Sequence, residues 1–410
     1  MARLKILLLT PQLPYPPEQG TSLRNFHIIR GLALAHEVHL LSFTEADDAA
    51  KGVLHGPLLD LCAQIMTVPA PQRTLWQRVW RLLADSRPDM AHRLQSKLFE
   101  DALSETLAAG DFDVVQIEGI ELAGTIPLVR RLSPDAIIVF DDHNAEAELQ
   151  RRMYMIDRAE PRRWIAAVYS LIQWRRLCQF ERLACLSADG VSVVSDSDRR
   201  HLQQLAPGLD PVVIPNSIDV DAYQDLPQAT AAVYQCDLLF VGKMDYRPNV
   251  DAVLWFAQEI WPLLRAVHPD LTWAIVGQQP HRRLRWLAGE AGITVTGPVA
   301  QIKPYRANAR VYVMPFRIGS GTRLKLIEAL AAGIATVSTG IGAEGFSLVD
   351  GEHLLLEDEP QAFAAAVLRL LDDHEKRRRL EAAGREFAEQ YDWRRVVPRF
   401  DELYGRLGSV

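Results

Sequence analysis

The stretch GSGTRLKLIEALAAG, Gly319 to Gly333, joins a glycine-rich approach to a helix-forming run that carries a lysine and a glutamate. Small residues ahead of a helix let a ligand approach backbone amides closely, and the unpaired N–H groups of the first turn attract anions. With a helix beginning near Thr322, spacing of three and four puts Leu324, Ile327 and Ala331 on a buried stripe. Lys325 and Glu328 then share another face with Gly321. Glu328 lies about 1.5 turns along, roughly 9 Å from the glycines, which is comparable to the reach from a diphosphate to its ribose. A carboxylate accepts hydrogen bonds from two vicinal hydroxyls, so Gly321 and Thr322 amides would hold a diphosphate while Glu328 holds the ribose. The alternative is a surface pair between Lys325 and Glu328, worth some tenths of a kcal/mol. Gly333 suits the left-handed residue of a helix C-cap.

Further stretches offer chemistry or a binding surface. In VFDDHNAE, a strand over Ile137–Phe140 delivers Asp142, His143 and Asn144 to its carboxyl end, where α/β sheets place ligands. Near the start, Gly20 follows a proline-stiffened loop, with Thr21 and Ser22 as candidate helix caps. That region contains neither Gly-x-Gly-x-x-Gly nor a Walker A pattern, which counts against a dinucleotide-binding oxidoreductase and a P-loop enzyme. The segment 151–183 carries eight arginines and three acidic residues interleaved with Trp164, Tyr169 and Trp174. It reads either as a solvated packing helix or as an interfacial helix that meets anionic lipid. RTLWQRVWRLLADSRP, Arg73 to Pro88, repeats the character.

These residues need a scaffold of alternating strands and helices, and the sequence supplies it. Apolar, β-branched runs such as KILLLT, EVHLLSF, DVVQIEG, AIIVFDD, GVSVVSD, DLLFVGK, LTWAIVG, RVYVMPF and GIATVST recur between helical patterns, the mark of parallel sheets built from β-α-β units. A turn-rich hinge over Val212–Val233 separates two strand series. The fold class is therefore α/β, with two doubly wound Rossmann-like domains facing a central cleft: residues 1–211, residues 212–390, and a terminal helix over 391–410 packing back on the first domain.

At 410 residues the chain is long enough for two or three domains. With 45 basic and 52 acidic residues its formal charge is −7, which argues against a nucleic-acid partner. Cys62, Cys178, Cys185 and Cys236 show no zinc-ligand spacing and read as core thiols of a reducing compartment. No run approaches the roughly 18 apolar residues of a membrane span, and the opening MARLKILLLTPQLPYPP is too short for a signal peptide, so a cytoplasmic location is expected.

Taken in order, VIPNSID, LLFVGK, MPFRIGSGTRLKLIEALAAGIATVST and GAEGF…DGEHLLLEDEPQAFAAAV resemble the C-terminal half of retaining glycosyltransferases of family 4, which have the GT-B fold. DDHNAE and ERLACLSADGVSVVSDSD extend the resemblance into the first half, and it is nearest to sugar transferases of bacterial exopolysaccharide systems. The resemblance implies transfer of a sugar from a nucleotide-diphosphate sugar to a sugar or lipid-linked acceptor, with retention, no metal and no cofactor. It assigns Glu328 to the ribose hydroxyls, Lys243 to the diphosphate, and His143 to the donor sugar. The donor-binding set is then Gly20, Lys243, Arg247, Gly319, Ser320, Gly321, Thr322, Arg323, Lys325 and Glu328. Catalysis falls to His143, Lys243 and Arg323, and the acceptor to Gly20, Thr21, His143 and Asn144. The chain departs from the family twice. Ser320 stands where the first of two paired glutamates is usual, and Pro248 stands where a second basic residue contacts the diphosphate, leaving Arg247, Arg323 and Lys325 as candidates for that charge. An epimerase of the same architecture and a non-catalytic nucleotide-sugar binder are the alternative functions.

Overall fold

The computed structural model describes all residues except 1–2, 18–19, 45–55, 160, 225, 227–230, 232–233, 320 and 409–410. It consists of two compact units, Met1–Ser217 with Trp393–Val410, and Ile218–Asp392.

The first unit holds seven parallel strands: β1 (Lys5–Thr10), β2 (Glu37–Thr44), β3 (Gln64–Pro69), β4 (Val114–Glu118), β5 (Ile137–Asp142), β6 (Gly190–Val193) and β7 (Val212–Val213), in spatial order β3-β2-β1-β4-β5-β6-β7. Its helices include α1 (Gly20–Leu32), α2 (Leu75–Ala84), α3 (Glu146–Ala159) and α4 (Trp164–Ser187). Side chains alternate across a strand, so β1 feeds two cores. Leu7 and Leu9 pack with Phe43, Phe99 and Phe140 on one face. Ile6 and Leu8 pack with Trp393, Phe400 and Tyr404 on the other, which fixes the helix Pro398–Leu407 against this sheet. The strand-like opening of Val212–Val233 thus pairs with β6 inside the first sheet; residues 225, 227–230 and 232–233 of that stretch lie outside the described residues.

In the second unit the strands are β8 (Leu238–Val241), β9 (Trp273–Val276), β10 (Ile293–Val295), β11 (Val311–Met314), β12 (Ala335–Ser338) and β13 (Leu355–Leu356), ordered β10-β9-β8-β11-β12-β13 and all parallel. Helices α5 (Arg247–Trp255), α6 (Lys303–Asn308) and α7 (Leu324–Ala331) flank them. In each sheet the order reverses once, between β1 and β4 and between β8 and β11. Loops leaving the two strands at such a point diverge to opposite faces and leave a crevice at the carboxyl edge.

Three sequence expectations are corrected. The segment 151–183 is not one helix: it breaks at a 3₁₀ turn over Pro161–Arg163, and α3 and α4 form a hairpin, because proline cannot continue the α hydrogen-bond ladder. Thr21 and Ser22 do not cap α1, which starts at Gly20 and buries Ser22. Helix α7 begins at Leu324 rather than Thr322, since Arg323 is extended at φ −104°, ψ 97°. Its end is as expected. Gly333 sits at φ +66°, its amide bonds to Leu330 O, and Ile334 N bonds to Ala329 O, the paired bonds of a Schellman motif.

Candidate functional site

The crevice at β8 and β11 gathers most of the residues proposed for a nucleotide. After β8, Gly242 and Lys243 turn close to the end of β9: Gly242 N bonds to Val276 O, and Met244 N to Gln278 O. A Cβ on Gly277 would lie 1.7 Å from Gly242 O, so only glycine permits this approach. Lys243 reaches outward, half-exposed, with Nζ 3.8 Å from Asp245. Arg247 opens α5.

From the β11 side comes the glycine loop. Gly319 and Gly321 have φ of +145° and +69°, conformations that side-chain-bearing residues rarely adopt. Arg323 folds back over this loop. It donates to Ile341 O at 2.5 Å, lies over the Phe316 ring, and reaches so near Gly319 that a Cβ there would sit 2.0 Å from Nη2. Thr322 is partly buried between them, and Ser320 lies outside the described residues.

Glu328 does not pair with Lys325. Its Oε1 accepts from Tyr223 Oη at 2.8 Å and its Oε2 from Arg306 Nη2 at 2.5 Å, and the Arg306 guanidinium in turn lies over the Tyr223 ring. Arg306 is 6% exposed, so its charge needs the carboxylate, and the carboxylate is held in one orientation. Each oxygen keeps a second acceptor site. Lys325 instead turns to α5, donating to Asn249 Oδ1 at 2.8 Å over the faces of Phe240 and Phe316. Burial, reinforced by the charge of Arg323, pushes its ammonium down to about 7.

In the first unit the carboxyl ends of β4 and β5 carry a buried ion network. His143 Nε2 lies 2.8 Å from Glu118 Oε2 and 3.4 Å from Asp141 Oδ2. Arg24, on α1, grips Asp141 with Nε at 2.7 Å and Nη2 at 2.8 Å, and Nη1 donates to Pro215 O. Gln116 bridges Glu118 Oε1 to the Tyr404 hydroxyl. Although burial opposes its charge, hydrogen bonds to Asp141 and Glu118 raise His143 to about 9; Glu118 is pushed up to about 7 by burial. Glu118, Asp141 and His143 offer three ligand atoms within 4.8 Å of one another. Yet Arg24 and the imidazolium already balance both carboxylates, so this set is complete as an ion network without a metal.

Asn144 donates to Glu146 Oε1 at 3.4 Å. The loop behind it is pinned from α4, whose Glu181 accepts from the amides of Glu146 and Ala147. Gly20 is exposed and Thr21 partly buried at the head of α1. Sequence reasoning missed Arg24, Glu118, Asp141, Tyr223, Asn249 and Arg306. A buried-charge signal existed for Glu118 and Asp141, acids at the carboxyl ends of largely apolar strands; the others come from distant segments.

Residues 19–222 match the family described as Glycosyltransferase Family 4, and residues 235–373 the one described as Glycosyl transferases group 1. The phosphatidyl-myo-inositol mannosyltransferase of Mycolicibacterium smegmatis is 34% identical over 228 residues, 54% of this chain and 58% of that one. The chain thus spans somewhat over half the length of that curated relative. Sucrose-phosphate synthase from Thermosynechococcus elongatus superposes with a TM-score of 0.72 at 19% identity, covering 99% of this chain and 100% of that one. An Anabaena protein solved with UDP-glucose does so with a TM-score of 0.65 at 15% identity, over the whole of both chains. The fold is GT-B, and with one match in each half the chain belongs to the family 4, group 1 glycosyltransferases.

Proposed function

We propose that this protein is a retaining, metal-independent glycosyltransferase of hexosyltransferase type. It moves a sugar from a nucleotide-diphosphate sugar to an acceptor in exopolysaccharide or glycolipid synthesis. The observation that carries the reading is the crevice between β8 and β11, where Lys243, then Gly319 and Gly321 with Arg323, and an oriented Glu328 carboxylate are carried by the segments that follow these two strands in one unit. Cations and amides there stabilise the departing diphosphate, and Glu328 takes the ribose hydroxyls. Ser320 leaves the donor sugar without the acidic contact usual in the family, and the charged His143, held by Glu118 and Asp141, serves as a hydrogen-bond donor in transfer. The leaving phosphate accepts the acceptor's proton, and no protein nucleophile takes part.

A lipid-linked acceptor is favoured by exposed apolar side chains of the first unit. Trp76 and Trp80, four apart on α2, are 83% and 70% exposed, and Trp164 and Ile165 at the start of α4 are 65% and 67% exposed. Arg176 Nη2 donates to Leu82 O, which ties α4 to the end of α2. Among the described residues no helix is long and apolar enough to cross a membrane, so contact would be peripheral, at the inner face of the cytoplasmic membrane.

Incubation with a panel of nucleotide sugars, with and without membrane lipid extract, tests the reading. Transfer to lipid is expected; isomerisation of the sugar, or binding without turnover, would replace it with an epimerase or a binding protein. His143→Ala should slow transfer far more than it weakens nucleotide binding.

A further inference from the structure

Among the described residues no carboxylate lies within ion-pair distance of Lys325. Glu328, whose charge favours the ammonium only from farther off, is held by Arg306 and Tyr223. The cations around Lys325 are Arg323 and Arg306, and its hydrogen-bond partner is the neutral Asn249. That partner is itself fixed, since Asn249 Nδ2 donates to Lys243 O at 2.8 Å. The ammonium end lies against the strand-end glycine: a Cβ on Gly242 would sit 2.9 Å from Lys325 Nζ. A cation has thus been carried beside the Gly242–Lys243 turn, over two aromatic faces, with no described carboxylate at ion-pair distance.

We propose that Lys325 is the second cation of the diphosphate site, a ligand that takes up its proton as the nucleoside diphosphate binds. The proposal rests on the nucleotide-sugar reading of this crevice and chooses among the three basic residues near it. Arg323 is committed to Ile341 O and the Gly319 loop, and Arg247 begins α5, whereas Lys325 adjoins Lys243 through Asn249. An amine beside two cations and aromatic carbon gives up its proton readily, and an arriving phosphate reverses that balance. The proton comes from solvent and forms the ammonium; no covalent bond changes.

The test is calorimetry of nucleoside diphosphate binding to the full chain at about pH 8, in buffers of different ionisation enthalpy, with the free nucleoside as a second ligand. The wild type should take up a sizeable fraction of one proton more than Lys325→Arg, whose guanidinium stays charged throughout. The phosphate's own proton, with a pKa near 6, cancels in that difference. Lys325→Met should bind the diphosphate about tenfold or more weakly and the nucleoside as before, which also shows that the site has folded. Equal proton uptake in wild type and Lys325→Arg, or undiminished diphosphate affinity in Lys325→Met, overturns the proposal while leaving the reading of the crevice in place. A wild type that binds the nucleoside diphosphate no better than the nucleoside overturns both.

Discussion

His143 and Glu118 meet at 2.8 Å, the imidazole on the loop after β5 and the carboxylate at the last residue of β4, fully buried. Parallel pairing of the two strands sets Glu118 opposite Asp141, so the sheet register itself delivers two acids to one histidine. Because its pKa is raised to about 9, His143 is an imidazolium at neutral pH.

Replacing Glu118 with Gln should therefore lower the His143 titration, followed by NMR of the ring protons, while Asp141 keeps it above that of an exposed histidine. The stabilisation contributed by this imidazolium is complete below its unfolded value, about 6.5, and is lost as pH climbs through about 9. A His143 titration identical in wild type and Glu118→Gln would show that the carboxylate does not set its charge.

Arg24 neutralises Asp141 from α1, at 2% and 0% exposure. Removing one partner strands the other's charge away from water, which costs far more than the intact pair contributes. Arg24→Met should lower unfolding free energy by about 3–5 kcal/mol in urea titrations, and Arg24→Met combined with Asp141→Asn should recover part of that. Additive losses in the double variant would mean that the two residues act independently.

The strand framework was legible because buried parallel strands are written as short β-branched runs, as in KILLLT and RVYVMPF. Gln64–Pro69, Ile293–Val295 and Leu355–Leu356 escaped notice: the first is an edge strand with exposed ends, and the others have only three and two residues. At the site, Lys325 and Glu328 were visible as residue types on one helix, but their partners were not. Tyr223 is 105 positions from Glu328 and Arg306 is 22 away, so their meeting is a product of tertiary packing with no local pattern. A spacing of three made Lys325 and Glu328 look like a pair; the buried Arg306 takes the carboxylate, and Lys325 turns instead to Asn249.

Glu328→Gln should weaken nucleotide binding by about 1–3 kcal/mol, the usual effect of losing hydrogen bonds to a charged group. If the carboxylate takes the ribose, the loss should be much smaller for a 2′-deoxy nucleotide, which offers one hydroxyl fewer. Tyr223→Phe, which frees Oε1 without removing charge, should narrow the same ribose-to-deoxyribose ratio. A ratio unmoved by either change would confine Glu328 to holding Arg306.

Membrane contact is the remaining prediction, and the structure shifts its basis from charge to apolar surface. Of the arginines in 151–183, Arg163 pairs with Asp157 at 2.9 Å, Arg151 and Arg152 pair with Glu148, and Arg176 binds Leu82 O. Pairing removes much of the attraction that each free basic residue would add near an anionic surface, about 1 kcal/mol. Trp76, Trp80, Trp164 and Ile165 remain uncovered, and tryptophan favours headgroup depth, where its ring is buried and its N–H stays wet. A net charge of −7 opposes approach only over a screening length of about 10 Å at 0.1 M salt. Vesicle flotation should therefore recover the protein with anionic lipid at moderate salt, and Trp76→Ser with Trp80→Ser should reduce recovery more than Arg162→Gln with Arg175→Gln. Recovery that survives loss of both tryptophans but falls with the arginines would return the contact to charge, and no recovery even at low salt would favour a soluble acceptor.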